Sequence, residues 1–97
     1  VSLTGVSLKH LGEVNQQQGN FAIAEDYFQQ AINLFEQVQN RPELAKTLND
    51  LGKNAQLQGD QASALSYFQQ ALSNFQQLQD ETGQAITSSY IEKLNNN

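Results

Sequence analysis

A chain of 97 residues, with ten acidic residues against five lysines and arginines, has room for one compact domain and carries a net charge of −5. This balance argues against a nucleic-acid partner, because contacts with phosphates need clustered cations. The chain has no cysteine for a disulfide framework or a thiolate zinc site, and no apolar run long enough for a membrane helix, so we expect no membrane partner.

Taken in chain order, the apolar spacing predicts helices separated by short polar turns. The first helix contains Leu8 and Leu11, and the adjacent Gly12 would let the second helix approach it closely. Gly19 ends the first helix, and Asn20 is placed to cap the second. The apolar residues of the second helix step by four, three, four and three positions and so share one stripe: Ala24, Phe28, Ala31, Phe35 and Val38.

The later helices begin and end at similar signals. Asn40 and Glu43 are the two ends of a predicted capping box, which starts the third helix. Gly59 ends that helix, and Asp60 and Asp80 are placed to cap the fourth and fifth. The five helices are predicted at about residues 4–18, 21–39, 41–58, 61–79 and 81–94.

The second half of the chain repeats the first at a fixed interval of forty positions. Aligning residues 8–47 with residues 48–87 gives 18 identities in 40 pairs. A fixed period of this size is typical of a solenoid, in which each helical unit buries its apolar face against its neighbours. We therefore predict an all-α, right-handed α-α solenoid in a single domain, with repeats at about 4–39 and 41–79 and a capping helix at about 81–94.

The order Leu8-x-x-Leu11-Gly12 followed by Ala24-x-x-x-Phe28 resembles the tetratricopeptide repeat. The same pattern returns at the equivalent positions of the second copy, in Leu48, Leu51, Gly52, Ala64 and Phe68. The period of forty positions resembles the long-repeat subclass found in kinesin light chains, Leu-Gly-Asn regulators and bacterial arrays. The resemblance implies a scaffold for protein–protein interaction, and the glutamine-rich composition is in the style of bacterial members.

The residues that catalysis or metal binding would need are few. His10 is the only histidine. With Glu13 and Asp50 it could offer metal ligands, but the spacing matches no metal motif. A Ser-His-acid arrangement of Ser7, His10 and Glu13 fails because one helix cannot direct all three side chains toward a common centre. We therefore expect no enzymatic activity, no metal and no cofactor.

The resemblance also implies a concave groove lined by the first helix of each repeat. Four of the five basic residues map to it, as do the apolar Val6 and Ile86. The candidate partner-binding residues are Lys9, His10, Glu13, Lys46, Asn49, Asp50, Lys53, Tyr90 and Lys93. We expect a protein or peptide partner carrying acidic residues, in an extended or helical segment. The alternative left open is that these lysines only solvate the surface.

The first helix is more apolar than its counterpart in the second repeat. Leu3, Val6 and Val14 stand where Glu43, Lys46 and Asn54 stand in the second copy. We therefore expect this apolar face to dock against a preceding repeat of a larger protein or, in its absence, against a second copy of the chain. The alternative function is self-association, with the chain as a homo-oligomer or as the oligomerisation element of a larger protein. Against it, single exposed apolar residues are ordinary.

The last helix carries polar residues where the third helix is apolar. Ser88, Glu92 and Asn95 replace Leu48, Gly52 and Ala55, which predicts a solvated cap. The missing initiating methionine indicates a fragment of a longer protein, and the missing signal peptide favours a cytoplasmic one.

Overall fold

The computed structural model describes residues 4–96, and this part of the chain folds as five helices. They are α1 (Gly5–Gln17), α2 (Phe21–Gln37), α3 (Arg41–Leu57), α4 (Gln61–Gln77) and α5 (Glu81–Asn95). The predicted all-α fold is confirmed, and each helix begins and ends within two residues of its predicted bounds. The molecule is a slab of 43 × 32 × 17 Å, whose thin dimension corresponds to two layers of helices.

Side chains cap four of the five helices. Thr4, Asn40, Asp60 and Asp80 each accept a hydrogen bond from the backbone N–H three residues later. Asn20 holds the predicted N-cap position of α2 but its side chain accepts no capping hydrogen bond. Its amide nitrogen instead lies 3.5 Å from oxygens of neighbouring amide side chains. Asn20 therefore occupies the predicted N-cap position but does not form the predicted capping hydrogen bond.

The predicted capping box at the start of α3 is half formed. Asn40 accepts a hydrogen bond of 3.4 Å from the N–H of Glu43, but the Glu43 carboxylate does not return to Asn40. The N–H of Asn40 already donates to the carbonyl of Phe35 at 2.8 Å in the preceding turn. The Glu43 carboxylate is therefore available for contacts with other helices.

The four turns between helices share one hydrogen-bond pattern. In each, the N–H of the residue before the next helix donates to a carbonyl five residues earlier, and the preceding N–H donates to a carbonyl three residues earlier. This is the Schellman arrangement, which places one residue in the left-handed region. Gly19 and Gly59 take that conformation with φ of 83° and 85°, as expected, and Gln39 and Gln79 take it with φ of 58° and 57°.

Phenylalanine rings fill the space between paired helices at positions where the facing helix carries glycine. Phe28 and Phe68 are fully buried at equivalent positions of α2 and α4. A Cβ atom added to Gly12 would lie 2.6 Å from Cε1 of Phe28, and one added to Gly52 would lie 2.5 Å from Cε1 of Phe68. The predicted close approach at Gly12 is thus confirmed.

Candidate functional site

The three helices expected to line the groove lie side by side, and side chains join each neighbouring pair. Lys9 of α1 lies 3.7 Å from Glu43 of α3, measured from Nζ to Oε2. Thr87 of α5 donates a hydrogen bond of 3.0 Å from Oγ1 to Oδ1 of Asn49 in α3. The candidate residues on α1, α3 and α5 therefore belong to one continuous surface.

Two of the predicted groove lysines take part in ion pairs. Lys9 lies 3.7 Å from Glu43 and 3.8 Å from Asp50, and its side chain is only 16% exposed. Lys46 also lies 3.7 Å from Glu43, at Oε1, but its side chain is 56% exposed. The part of the predicted basic stripe that contains Lys9 and Lys46 is therefore a mixed-charge cluster, in which Glu43 joins two lysines.

Glu43 was not among the candidate residues, because its position three residues after Asn40 indicated a helix cap. The ion pairs depend on how closely α1 approaches α3, which the sequence does not show. The available signal was the register of the repeat itself: Glu43 lies one turn before Lys46, on the same side of the helix. A polar residue at that distance from a groove residue is a candidate for the same surface.

Asp50 lies at the inner side of the charge cluster and is poorly solvated. Burial raises the pKa of its carboxyl group from the usual 3.8 to about 6, against the attraction of Lys9, while the nearby Glu13 raises the pKa further. Its Oδ2 atom is buried and accepts no hydrogen bond from residues 4–96. The ionised form of Asp50 is therefore disfavoured by the fold.

The other predicted lysines have a different environment. Lys53 is exposed and its Nζ lies 5.4 Å from the centre of the Tyr90 ring, in a cation–π contact. That ring packs in turn against Phe68, with ring centres 5.2 Å apart. Lys93 is exposed one turn after Tyr90 on α5. Within residues 4–96 neither Lys53 nor Lys93 forms an ion pair.

The remaining candidate residues divide between surface and interior. His10 is exposed and Glu13 is half-buried. Asn49 is only 9% exposed, and its Oδ1 atom accepts the hydrogen bond from Thr87 that joins α3 to α5. In residues 4–96 no group of three histidine, aspartate or glutamate side chains is arranged to hold a metal ion.

The residues proposed for self-association lie in different surroundings. Val6 and Val14 are 46% and 48% exposed, and Leu3 lies outside the described residues. The equivalents of Val14 are buried, Asn54 at 1% and Leu94 at 7% exposed. Asn54 donates a hydrogen bond of 2.9 Å to the carbonyl of Phe21 at the start of α2. Val14 thus occupies a position that packs against the preceding helical pair in α3 and α5.

The expected cap positions on α5 are polar and solvated. Ser88, Glu92 and Asn95 are all exposed, whereas the equivalent Leu48, Gly52 and Ala55 are buried against α4. The two ends of the described stack therefore differ, with exposed apolar residues on α1 and exposed polar residues on this face of α5.

Comparison with known proteins agrees with this architecture. A family model described as tetratricopeptide repeat matches residues 3–77, which spans α1 to α4. No curated protein matches the chain. Among the helices of the described residues, none combines the length and the apolar character needed to cross a membrane.

Proposed function

The chain belongs to the tetratricopeptide repeat family, whose repeats generally mediate contacts between proteins, and on that premise we propose that its groove binds a protein or peptide segment carrying acidic residues. The proposal is for a cytoplasmic scaffold without catalysis, cofactor, nucleic acid or membrane. We also propose the long-repeat subclass, because equivalent residues recur every 40 positions instead of the usual spacing of about 34.

The observation that carries the proposal is the contact between exposed Lys53 and the Tyr90 ring, with exposed Lys93 one turn after Tyr90 on α5. Neither lysine forms an ion pair within residues 4–96, and the ring that Lys53 contacts is itself packed on Phe68. A carboxylate bound by a cation beside an aromatic surface has both charge complementarity and apolar contact area. Lys9 contributes less, because its side chain is only 16% exposed and is already paired with Glu43 and Asp50.

A displayed library of random peptides tests the proposal directly. Selection on the purified protein should enrich peptides with acidic residues, and Lys53→Glu should weaken their binding. The matched control is Arg41→Glu, which changes the net charge equally at the one basic residue outside the groove set. If the library yields no binder, or if both variants weaken binding equally, the groove proposal is wrong. Circular dichroism of each variant verifies that helicity is retained.

The second candidate function is self-association through α1, which the exposure of Val14 supports. Two chains that paired along this face would cover a position that is buried in α3 and α5. Sedimentation at micromolar concentration should then detect a dimer, and Val14→Lys should convert it to a monomer. If the unmodified protein is monomeric at those concentrations, this alternative is wrong and the groove proposal is not affected.

A further inference from the structure

Three exposed residues form a row across the groove at equivalent positions of its helices. Val6, Lys46 and Ile86 hold the same place in successive copies of the repeat, on α1, α3 and α5. Val6 and Ile86 are 46% and 45% exposed, and the Lys46 side chain is 56% exposed. The row therefore offers an apolar surface, a cation and a second apolar surface in that order.

The apolar end at Val6 adjoins a cavity. A recess of about 330 Å³ opens between the start of α1 and the end of α2, where Val6, Leu34, Phe35 and Val38 supply its apolar lining. Val38 is 70% exposed at its edge. A recess of this size is large enough for one aliphatic or aromatic side chain of a partner.

The second repeat shows that the apolar character of this recess is not demanded by the fold. The residues equivalent to Val6 and Leu34 are Lys46 and Asn74, both polar. The same backbone positions are therefore compatible with polar side chains. The apolar pair in the first repeat provides a surface that the second repeat lacks.

Lys46, at the centre of the row, can exchange its partner. Its one ion pair within residues 4–96 is with Glu43 at 3.7 Å, three residues earlier on the same helix. An exposed pair of this kind contributes little to stability. Glu43 also contacts Lys9, so it keeps a cation when Lys46 turns toward an incoming carboxylate.

The spacing expected between neighbouring helices favours one backbone conformation for the partner. Helices in direct contact lie roughly 8–10 Å apart, and side-chain contacts join α1 to α3 and α3 to α5. A polyproline II segment advances about 3.1 Å per residue with three residues per turn, so residues three apart share a face and lie about 9 Å apart. A β-strand directs residues three apart to opposite faces.

We propose that this row binds a polyproline II segment with an acidic residue flanked, three positions away on each side, by apolar residues. The inference rests on the proposed groove function and names the class of partner. One apolar side chain enters the recess beside Val6, the carboxylate binds Lys46 and the other apolar side chain covers Ile86. The pattern is symmetric, so either chain direction satisfies it.

The probe is a labelled synthetic peptide, Pro-Leu-Pro-Pro-Glu-Pro-Pro-Leu-Pro, titrated by fluorescence anisotropy. Its control has the same composition with the glutamate moved next to one leucine. We expect the first peptide to bind at least about tenfold more tightly than the control. Val6→Lys, which introduces the residue of the second repeat, should lower its affinity by a similar factor.

A charge exchange isolates the contact with Lys46. Lys46→Glu should weaken binding of the glutamate peptide about tenfold, and a peptide with lysine in place of glutamate should recover the loss. If the glutamate peptide and its rearranged control bind equally, the proposed polyproline II contact with Val6, Lys46 and Ile86 is wrong. The groove proposal is not affected by that result. If the displayed random library also yields no binder, the groove proposal fails and the row fails with it.

Discussion

Thr47 and Thr87 occupy equivalent positions in α3 and α5, are both fully buried, and donate their hydroxyl protons to different partners. Thr47 bonds to the carbonyl of Glu43 within its own helix at 2.7 Å. Thr87 bonds across the helix interface to Oδ1 of Asn49 at 3.0 Å. The same residue at the same position of the repeat therefore bonds within its own helix in one case and joins two helices in the other.

This difference predicts unequal costs for the same substitution. Thr87→Val should lower the free energy of unfolding by about 1–3 kcal/mol, because it leaves the buried Asn49 oxygen without its donor. Thr47→Val should cost less than about 0.5 kcal/mol, since the Glu43 carbonyl can keep its backbone donor in the helix. Urea denaturation of both variants measures the difference, and equal losses would contradict the assigned roles.

Gly12→Ala tests the close approach of α1 and α2. The new methyl group would lie 2.6 Å from Cε1 of Phe28, whose ring is fully buried. Overpacking costs about 1–3 kcal/mol, and the better helix propensity of alanine offsets up to about 1 kcal/mol. We expect a net destabilisation of about 1–2 kcal/mol in thermal or urea unfolding. The exposed Gln17→Ala on the same helix should be nearly neutral, and equal stability of both variants would rule out a tight contact.

Gln79→Gly should stabilise the protein. Gln79 has a φ of 57°, a conformation that costs a residue with a side chain about 1–2 kcal/mol and costs glycine little. After the greater chain entropy of glycine in the unfolded state is counted, a gain of about 0.5–1 kcal/mol in unfolding free energy is expected. Gln69→Gly, at an exposed position in the interior of α4, is the control and should destabilise by about 1 kcal/mol. A loss of stability in both variants would be the contrary result.

The raised pKa of Asp50 should make the unfolding free energy of the protein depend on pH. Its pKa in the folded protein is about 6, above the usual 3.8, so the folded state holds this proton at pH values where the unfolded state has released it. The contribution of Asp50 to stability is therefore complete below about pH 4 and decreases as the pH rises toward 6. Asp50→Asn should remove this decrease, which is on the order of 1 kcal/mol for a partly exposed carboxylate.

The measurement is the difference in unfolding free energy between the parent protein and Asp50→Asn from pH 4 to pH 7. Other titrating groups are common to both proteins and largely cancel. The difference should favour the asparagine variant increasingly as the pH rises through that interval. A difference that stays constant with pH would mean that the Asp50 carboxyl group keeps its ordinary pKa in the fold.

The fold could be predicted because its helices and turns have local sequence signals, and most of these signals occur in both repeats. The Ala–Phe stripe, the glycines at 19 and 59 and the capping residues each have a direct physical link to helices and turns. Gln39 and Gln79 were not recognised as left-handed residues, since glutamine has no preference for that conformation and only the Schellman bonds place it there. Position in the turn, and not residue type, carries that information.

The site was predicted less completely, because its properties depend on distances between helices. The sequence indicated which lysines face the groove, but not that Glu43 lies between Lys9 and Lys46. Asn49 belonged to the groove by register and was found bonded to Thr87 instead. Pairing and burial of this kind arise only when α1, α3 and α5 pack together, so local sequence patterns do not show them.

The thin slab has a consequence for how the chain folds. Helices of the described residues touch only neighbours that are adjacent or next-but-one along the chain, and α3 contacts all four of the others. Contacts between residues close in sequence close short loops, which permits folding in microseconds to milliseconds. In a one-dimensional array the ends open first, so the backbone amides of α1 and α5 should exchange with solvent before those of α3. The central helix should therefore be the last part of the described stack to open.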